Sequence, residues 1–305
     1  MKKILSLLLV CLFSLSLVMS ACADDYAYTV SAPTGAPGIA LATLAVENPD
    51  AYTYLAADTI TAEFANNTTD FVIAPLNAGA KLFKAGKSTY KLGAVITWGN
   101  LYFASQKENF SLEDMNDATV TLFGENTINA SVALFALEKN GIVPASIEYL
   151  AGAANTQSLL LSDENAIVLT AEPALTAASL KNDRITGIAV NDLYKEATGF
   201  DGYTQAALFI REETCVEHPE VVKDFLALVQ ESCDKVESDL DAVVEASVAL
   251  EILPNAKVAS LAIPKCNIRF LAALDAKEQI ETTAGIDLAQ FGGDVPADDF
   301  YYEAE

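Results

Sequence analysis

The chain has 305 residues, 52% of them apolar, and a formal net charge of −24 from 18 Lys plus Arg against 42 Asp plus Glu. That length predicts two domains with cores large enough to stand without disulfides or metals. The 15 glycines and 10 prolines leave disorder and collagen-like structure without support. So acidic a surface repels phosphate backbones and anionic headgroups, which excludes nucleic acid as a partner. His218 is the single histidine, so a His-based metal cluster or a Ser-His-Asp triad would have to be built on it alone.

Met1-Lys2-Lys3 is a short basic start, and Ile4 to Ser20 is an uncharged, largely apolar run at the lower limit for spanning a bilayer. The basic flank and the small residues at its end predict a signal peptide over residues 1–21 rather than an anchor helix. Met19-Ser20-Ala21-Cys22 resembles a bacterial lipobox, with Met19 where Leu is preferred. Cys22 would then be diacylated, with residues 22–27 as a short acidic tether. The remaining chain would fold in an oxidising compartment, where Cys215, Cys233 and Cys266 allow at most one disulfide. Cys215 and Cys233 are near enough in sequence to pair; three buried thiols are the other reading. Without CxxC or a Cys/His cluster, zinc and iron–sulfur sites have no basis.

Strands and helices are then predicted to alternate. Tyr28-Thr29-Val30 is extended, and Pro37 opens a helix over Ile39–Ala45. Tyr52–Tyr54, Phe71–Ala74 and Leu92–Ile96 read as strands, and Leu101–Ala104 continues extended. The pattern recurs with a strand over Ala118–Phe123, a helix over Ser131–Lys139, and strands over Ser146–Leu150, Ala166–Thr170 and Gln205–Ile210. From His218 onward the chain is mainly helical, with apolar Val221, Phe225, Leu226 and Val229. This alternation predicts an α/β protein with mainly parallel sheets, whose ligands bind at the carboxyl ends of strands. Polar or Gly/Pro loops fall at those ends in 34–38, 75–78, 97–100, 124–127 and 172–173.

The helix starts after Gly35 and Gly124 offer unpaired N–H groups suited to a carboxylate, sulfonate or phosphate-like group. Neither is a P-loop or GxGxxG, and no Gly-x-Ser-x-Gly elbow exists. Trp98, the single tryptophan, is either core or a stacking wall for a planar ligand, with Tyr102 or Tyr203 opposite. With Arg184, Arg211 and Arg269 as the only arginines, a neutral, zwitterionic or singly charged ligand is favoured. His218-Pro219-Glu220 reads as a helix start rather than as catalytic.

Several segments, in their order, resemble the solute-binding proteins of ABC importers. They are Ala32–Gly38, Phe71–Asn77, Thr97–Tyr102, Ala171–Leu175, Ile263–Ile268 and Gly292–Tyr302. The similarity points to the type II periplasmic-binding branch that takes nitrate, sulfonates, taurine and thiamine precursors. It implies an α/β, two-lobed type II periplasmic-binding-protein fold, each lobe a mainly parallel sheet flanked by helices. Lobe one would be 26–103 plus 208–305 and lobe two 104–207, with hinge crossings near Phe103-Ala104 and Ala207-Leu208. It further implies a cleft that closes on a small-molecule ligand, no cofactor and no catalysis. Its partners would be an ABC permease and ATPase, and the monomer would be held outside the cytoplasmic membrane by the Cys22 lipid. The ligand would meet Thr34, Gly35, Ala36, Asn77, Thr97, Trp98 and Asn100 from lobe one, and Glu125, Asn126, Thr127 and Glu172 from lobe two. An ionised Glu172 facing the cleft would favour an amino or amidine-like donor, in conflict with a sulfonate or nitrate. Two alternatives share the fold: a surface sensor or adhesin, and a thiamine-pyrimidine-synthase-like enzyme. The latter needs an active-site His and a pyridoxal-bearing Lys, and His218 lies in the tail.

Overall fold

A computed structural model describes residues 26–57 and 59–303. The signal-peptide, lipobox and most of the tether readings lie outside the described residues. Two mixed sheets carry the architecture. The first has six strands: β1 (Val30–Pro33), β2 (Tyr52–Leu55), β3 (Phe71–Pro75), β4 (Lys91–Thr97), β10 (Ala206–Ile210) and β11 (Ile268–Ala272), in the order β11-β4-β10-β3-β1-β2. The second has five: β5 (Leu101–Ser105), β6 (Thr119–Phe123), β7 (Ser146–Leu150), β8 (Ile167–Ala171) and β9 (Thr186–Ala189), in the order β7-β6-β8-β5-β9.

The apolar runs become the central strands. All of β10 is buried, as are Phe71–Ala74 of β3, as expected for strands covered on both faces. Thirteen described helices flank the sheets. Those that matter for the site are α1 (Ala36–Ile39), α4 (Leu76–Lys84), α5 (Ile128–Lys139), α6 (Ala153–Ser162), α7 (Ala174–Ser179), α8 (Val190–Thr198), α10 (Pro219–Ser238) and α13 (Lys277–Ile286). In α10, Pro219 occupies the first turn, where a missing N–H costs nothing. Its buried stripe is Val222, Phe225, Val229, Cys233 and Val236; Val221 and Leu226, read as periodic core positions, are only partly buried. The thiols of Cys215, Cys233 and Cys266 are all free, so the Cys215–Cys233 pairing is not formed.

The sheets are less parallel than the alternation suggested. β10 runs antiparallel to both β3 and β4, and β5 antiparallel to both β8 and β9. The cause is topological. β5 and β10 each begin at the crossing between sheets, where their neighbours end, so they must run the other way. The positions of the crossings also differ from expectation. Phe103-Ala104 and Ala207-Leu208 lie inside β5 and β10, while the chain changes sheet at 98–100 and again within 200–205. The apolar run Leu101–Ala104 hid the first change, which is made by Gly99 at φ +83°. The crossings touch at their glycines. A Cβ on Gly99 would lie 2.3 Å from Tyr203 Cε1, and one on Gly202 would lie 2.3 Å from the Trp98 carbonyl oxygen. Helix α13 adds a further link, since Thr283 accepts from the Thr204 N–H and Asp287 accepts from Ser131 Oγ at 2.7 Å.

Among the described residues, no helix is long and apolar enough to cross a membrane, and no group of His, Cys, Asp and Glu is arranged to hold a metal.

Candidate functional site

Carboxyl ends of strands from both sheets meet around a cavity of about 540 Å³. From the first sheet, the segments after β1 and β3 supply Thr34–Pro37 and Asn77-Ala78. From the second, the segments after β6, β7 and β8 supply Thr127–Asn129, Ala153 and Glu172. The crossings supply Asn100 and Gln205, and the C-terminal segment supplies Gln290. Of the residues expected from sequence, Thr34, Gly35, Ala36, Asn77, Asn100, Thr127 and Glu172 line this one cavity.

Four do not. Thr97 is buried beside it, accepting from the Ala206 N–H at 2.9 Å and donating to Gln205 Oε1 at 3.4 Å. Trp98 turns to the opposite side and is 2% exposed. Its indole N–H donates to the Arg269 carbonyl at 2.8 Å, and the Arg269 guanidinium lies 4.3 Å from the ring centroid. Trp98 is therefore core at the back of the crossing, not a stacking wall. In an extended segment residues two apart face the same way, so Trp98 and Asn100 would share a side; Gly99, in the left-handed region, turns the chain and sends them to opposite sides. Glu125 and Asn126 are exposed beyond the lining, and the Asn126 carbonyl accepts from Gln290 Nε2 at 2.7 Å. Tyr203 is buried, with its hydroxyl donating to Asn129 Oδ1 at 3.2 Å.

Side-chain amides tie the walls together. Gln205 Nε2 donates to Asn100 Oδ1 at 3.0 Å and to Asn129 Oδ1 at 3.4 Å. Asn100 Nδ2 donates to the Glu172 carbonyl at 2.7 Å, and the Glu172 N–H returns a bond to the Asn100 carbonyl at 2.9 Å. Sequence reading missed Gln205, Asn129 and Gln290. Gln205 would have followed from placing the second crossing two residues earlier. Asn129 follows Thr127 in the first turn of α5. Gln290 has no sequence signal.

Glu172 is the one titratable side chain among the described lining residues, and its carboxylate is engaged away from the cavity. It accepts from Thr176 N–H at 3.1 Å and Thr176 Oγ1 at 2.9 Å, with Lys265 Nζ 3.8 Å away. Burial raises its pKa above the ordinary carboxylate value; the Thr176 bonds and Lys265 oppose this in part. Three helices of nine residues or more, α4, α5 and α6, begin at the cavity, and none has a side-chain cap bond. Thr127 Oγ1 donates to the Gly124 carbonyl at 2.6 Å instead of capping α5. The arrangement offers backbone N–H donors, side-chain amides and an apolar floor, with no Lys or Arg among the described lining residues.

No protein-family model matches the sequence, and no curated protein matches it. Solved structures do. An ABC transporter protein from Parabacteroides distasonis superimposes with a TM-score of 0.79 at 20% identity, over 91% of this chain and 99% of that one. The periplasmic aliphatic sulphonate binding protein SsuA from Escherichia coli gives 0.70 at 14% identity, over 91% and 92%. The alkanesulfonate-binding protein SsuA from Xanthomonas axonopodis pv. citri, bound to MOPS, gives 0.67 at 14%, over 92% and 99%. The two mixed sheets flanked by helices thus form the periplasmic-binding-protein fold.

Proposed function

We propose that this protein is an extracytoplasmic solute-binding component that delivers a small organic solute to the permease and ATPase of an ABC importer. The observation that carries the reading is the cavity lined by strand ends of both sheets. A solute touching both walls interacts differently with open and closed arrangements, and that difference is what drives closure. The named neighbours, which are transporter and sulfonate-binding proteins, agree with it. Residues 1–21 serve as a signal peptide and the Cys22 lipid holds the monomer at the outer face of the membrane. Thr34, Gly35, Ala36, Asn77, Asn100, Thr127 and Glu172 lie at the binding surface, joined by Gln205, Asn129 and Gln290. Binding, not bond-making, suits this lining. Its described residues pair no nucleophile with a base, and the Glu172 carboxylate is already engaged by Thr176.

Thermal unfolding tests the reading against a panel of sulfonates, thiamine pyrimidines, riboflavin, amino acids and nitrate. A ligand at 100 times its Kd adds about 2.7 kcal/mol, which raises the melting temperature by roughly 5–10 °C for a chain of this size. A panel that moves nothing, with no metabolite retained in native mass spectrometry, contradicts transport and leaves the sensor or adhesin reading.

A further inference from the structure

The amides of the cavity have a fixed polarity, and what that means for recognition rests on the solute-binding reading above. A side-chain amide can turn either its oxygen or its N–H groups to a neighbour, and the neighbours decide which. Here the choice starts at backbone groups that have none. The Glu172 carbonyl can only accept, so Asn100 turns Nδ2 to it, at 2.7 Å. That leaves Asn100 Oδ1 facing Gln205, which answers with Nε2, at 3.0 Å. The same Nε2 meets Asn129 at 3.4 Å, so Asn129 turns Oδ1 to the row, where the Tyr203 hydroxyl also donates at 3.2 Å. The far side of Gln205 agrees. The Ala206 N–H can only donate, so Thr97 Oγ1 accepts it and gives its own hydrogen to Gln205 Oε1. Reversing any one amide would set oxygen against oxygen, or N–H against N–H, at the next.

Asn129 lines the cavity, and with its Oδ1 committed to the row its Nδ2 is the end left for a solute. Asn77, from the first sheet's wall, shows the same end for another reason: its Oδ1 is closed off by the protein, so Nδ2 is the accessible atom of that amide. Asn77 and Asn129 are the second residues of α4 and α5, where unpaired backbone N–H groups add further donors. We infer that Gln205 is a specificity-determining residue: it holds Asn129 with its N–H groups toward the cavity, so that Asn129 and Asn77 read acceptor atoms of the solute from the two walls. Neutral carbonyls and anionic oxygens both satisfy such donors. A group carrying only N–H donors meets N–H on both walls.

Side-chain amide NMR tests this in two steps. Without solute, the Asn129 Nδ2 protons should exchange with water as fast as those of an exposed amide, because no described residue accepts them. Protection of these protons means a reversed amide and overturns the inference, whatever binds. Titrations then use two pairs: cyclopentanone against pyrrole, both neutral, and butanesulfonate against butylammonium. The first of each pair brings only acceptors and the second only N–H donors. The wild type should take the acceptor member at least about tenfold tighter in both pairs, although the chain's charge of −24 favours butylammonium. Gln205→Met adds no charge and leaves Asn129 to the Tyr203 hydroxyl, which serves either polarity. The preference for cyclopentanone over pyrrole should then fall at least about threefold. A packing role for Gln205 would weaken both members alike, so an unchanged ratio overturns the inference, as does a wild type that prefers pyrrole. Silence from all four probes overturns it too, and the wider thermal panel judges transport separately.

Discussion

Two faces of one crossing have opposite characters. On the cavity side, Asn100, Asn129 and Gln205 present a hydrogen-bonded row of amides to open space. On the back, Trp98 is sealed under the Arg269 guanidinium, with its backbone held by Asn267 and Asn191. Trp98 on one face and Asn100 on the other both come from the four residues Thr97 to Asn100. A polar strand end therefore does not say which of its residues serve a ligand and which close a core; the turn at Gly99 decides it.

The largest expected effect separates the two faces. Trp98→Ala should cost about 3–5 kcal/mol of stability, as for other buried large-to-small changes, while leaving solute affinity near wild type. Asn100→Ala should do the reverse. Its stability loss is smaller, about 1–3 kcal/mol for the partners left unpaired, and solute affinity falls. Urea unfolding and calorimetry on both variants check the pair. If Trp98→Ala abolishes binding while Asn100→Ala spares it, the faces have been assigned the wrong way round.

The contact between crossings comes next. Gly202→Ala puts a Cβ against the Trp98 carbonyl, which belongs to backbone and cannot rotate away. Gly99→Ala combines a clash with Tyr203 and a positive φ. Each should cost about 1–3 kcal/mol, seen as a lower urea midpoint. Gly35→Ala, with open space around the added methyl, carries only the backbone strain and should cost less.

Much of the fold was legible because the buried strands are short apolar runs bounded by Gly, Pro and polar loops. Phe71–Ala74 and Gln205–Ile210 needed no tertiary information to be read as strands. The site was legible where a helix follows a strand end, as at Thr34–Ala36, Asn77 and Thr127. What stayed hidden was direction. Nothing local distinguishes Trp98 facing Arg269 from Trp98 facing a ligand, since the partner is remote in sequence. Leu101–Ala104 reads the same whichever sheet it joins. Gln290 reaches the cavity from a C-terminal turn whose position is fixed by long-range packing.

A smaller effect concerns the far ends of the same strands. Asp70, just before β3, accepts from Tyr26, Thr29, Thr214 and Arg211, the last at 2.9 Å. Burial would raise its pKa, but these hydrogen bonds outweigh it and hold the carboxyl below its usual value. A depressed carboxyl contributes stability above its unfolded pKa of about 3.9, and that contribution disappears as pH falls through the lower folded value. Asp70→Asn should flatten the acid limb of the stability–pH curve without altering solute affinity at neutral pH. An unchanged acid limb contradicts the assignment. Smallest of all is the response to reductant. The three described thiols are free, and burial pushes Cys215 up to about 11 and Cys233 up to about 12. Dithiothreitol should therefore leave the melting temperature where it was; a drop would reveal a disulfide.

The central claim is that the solute sits in the cavity between the two sheets, and Ala153 tests it most directly. Ala153 opens α6 on the cavity wall and is only partly buried, so a large side chain there fills the cavity without crowding a core. Ala153→Trp should keep the wild-type melting temperature and give no calorimetric heat with whichever compound the wild type binds tightest. Wild-type affinity in that variant would contradict the account.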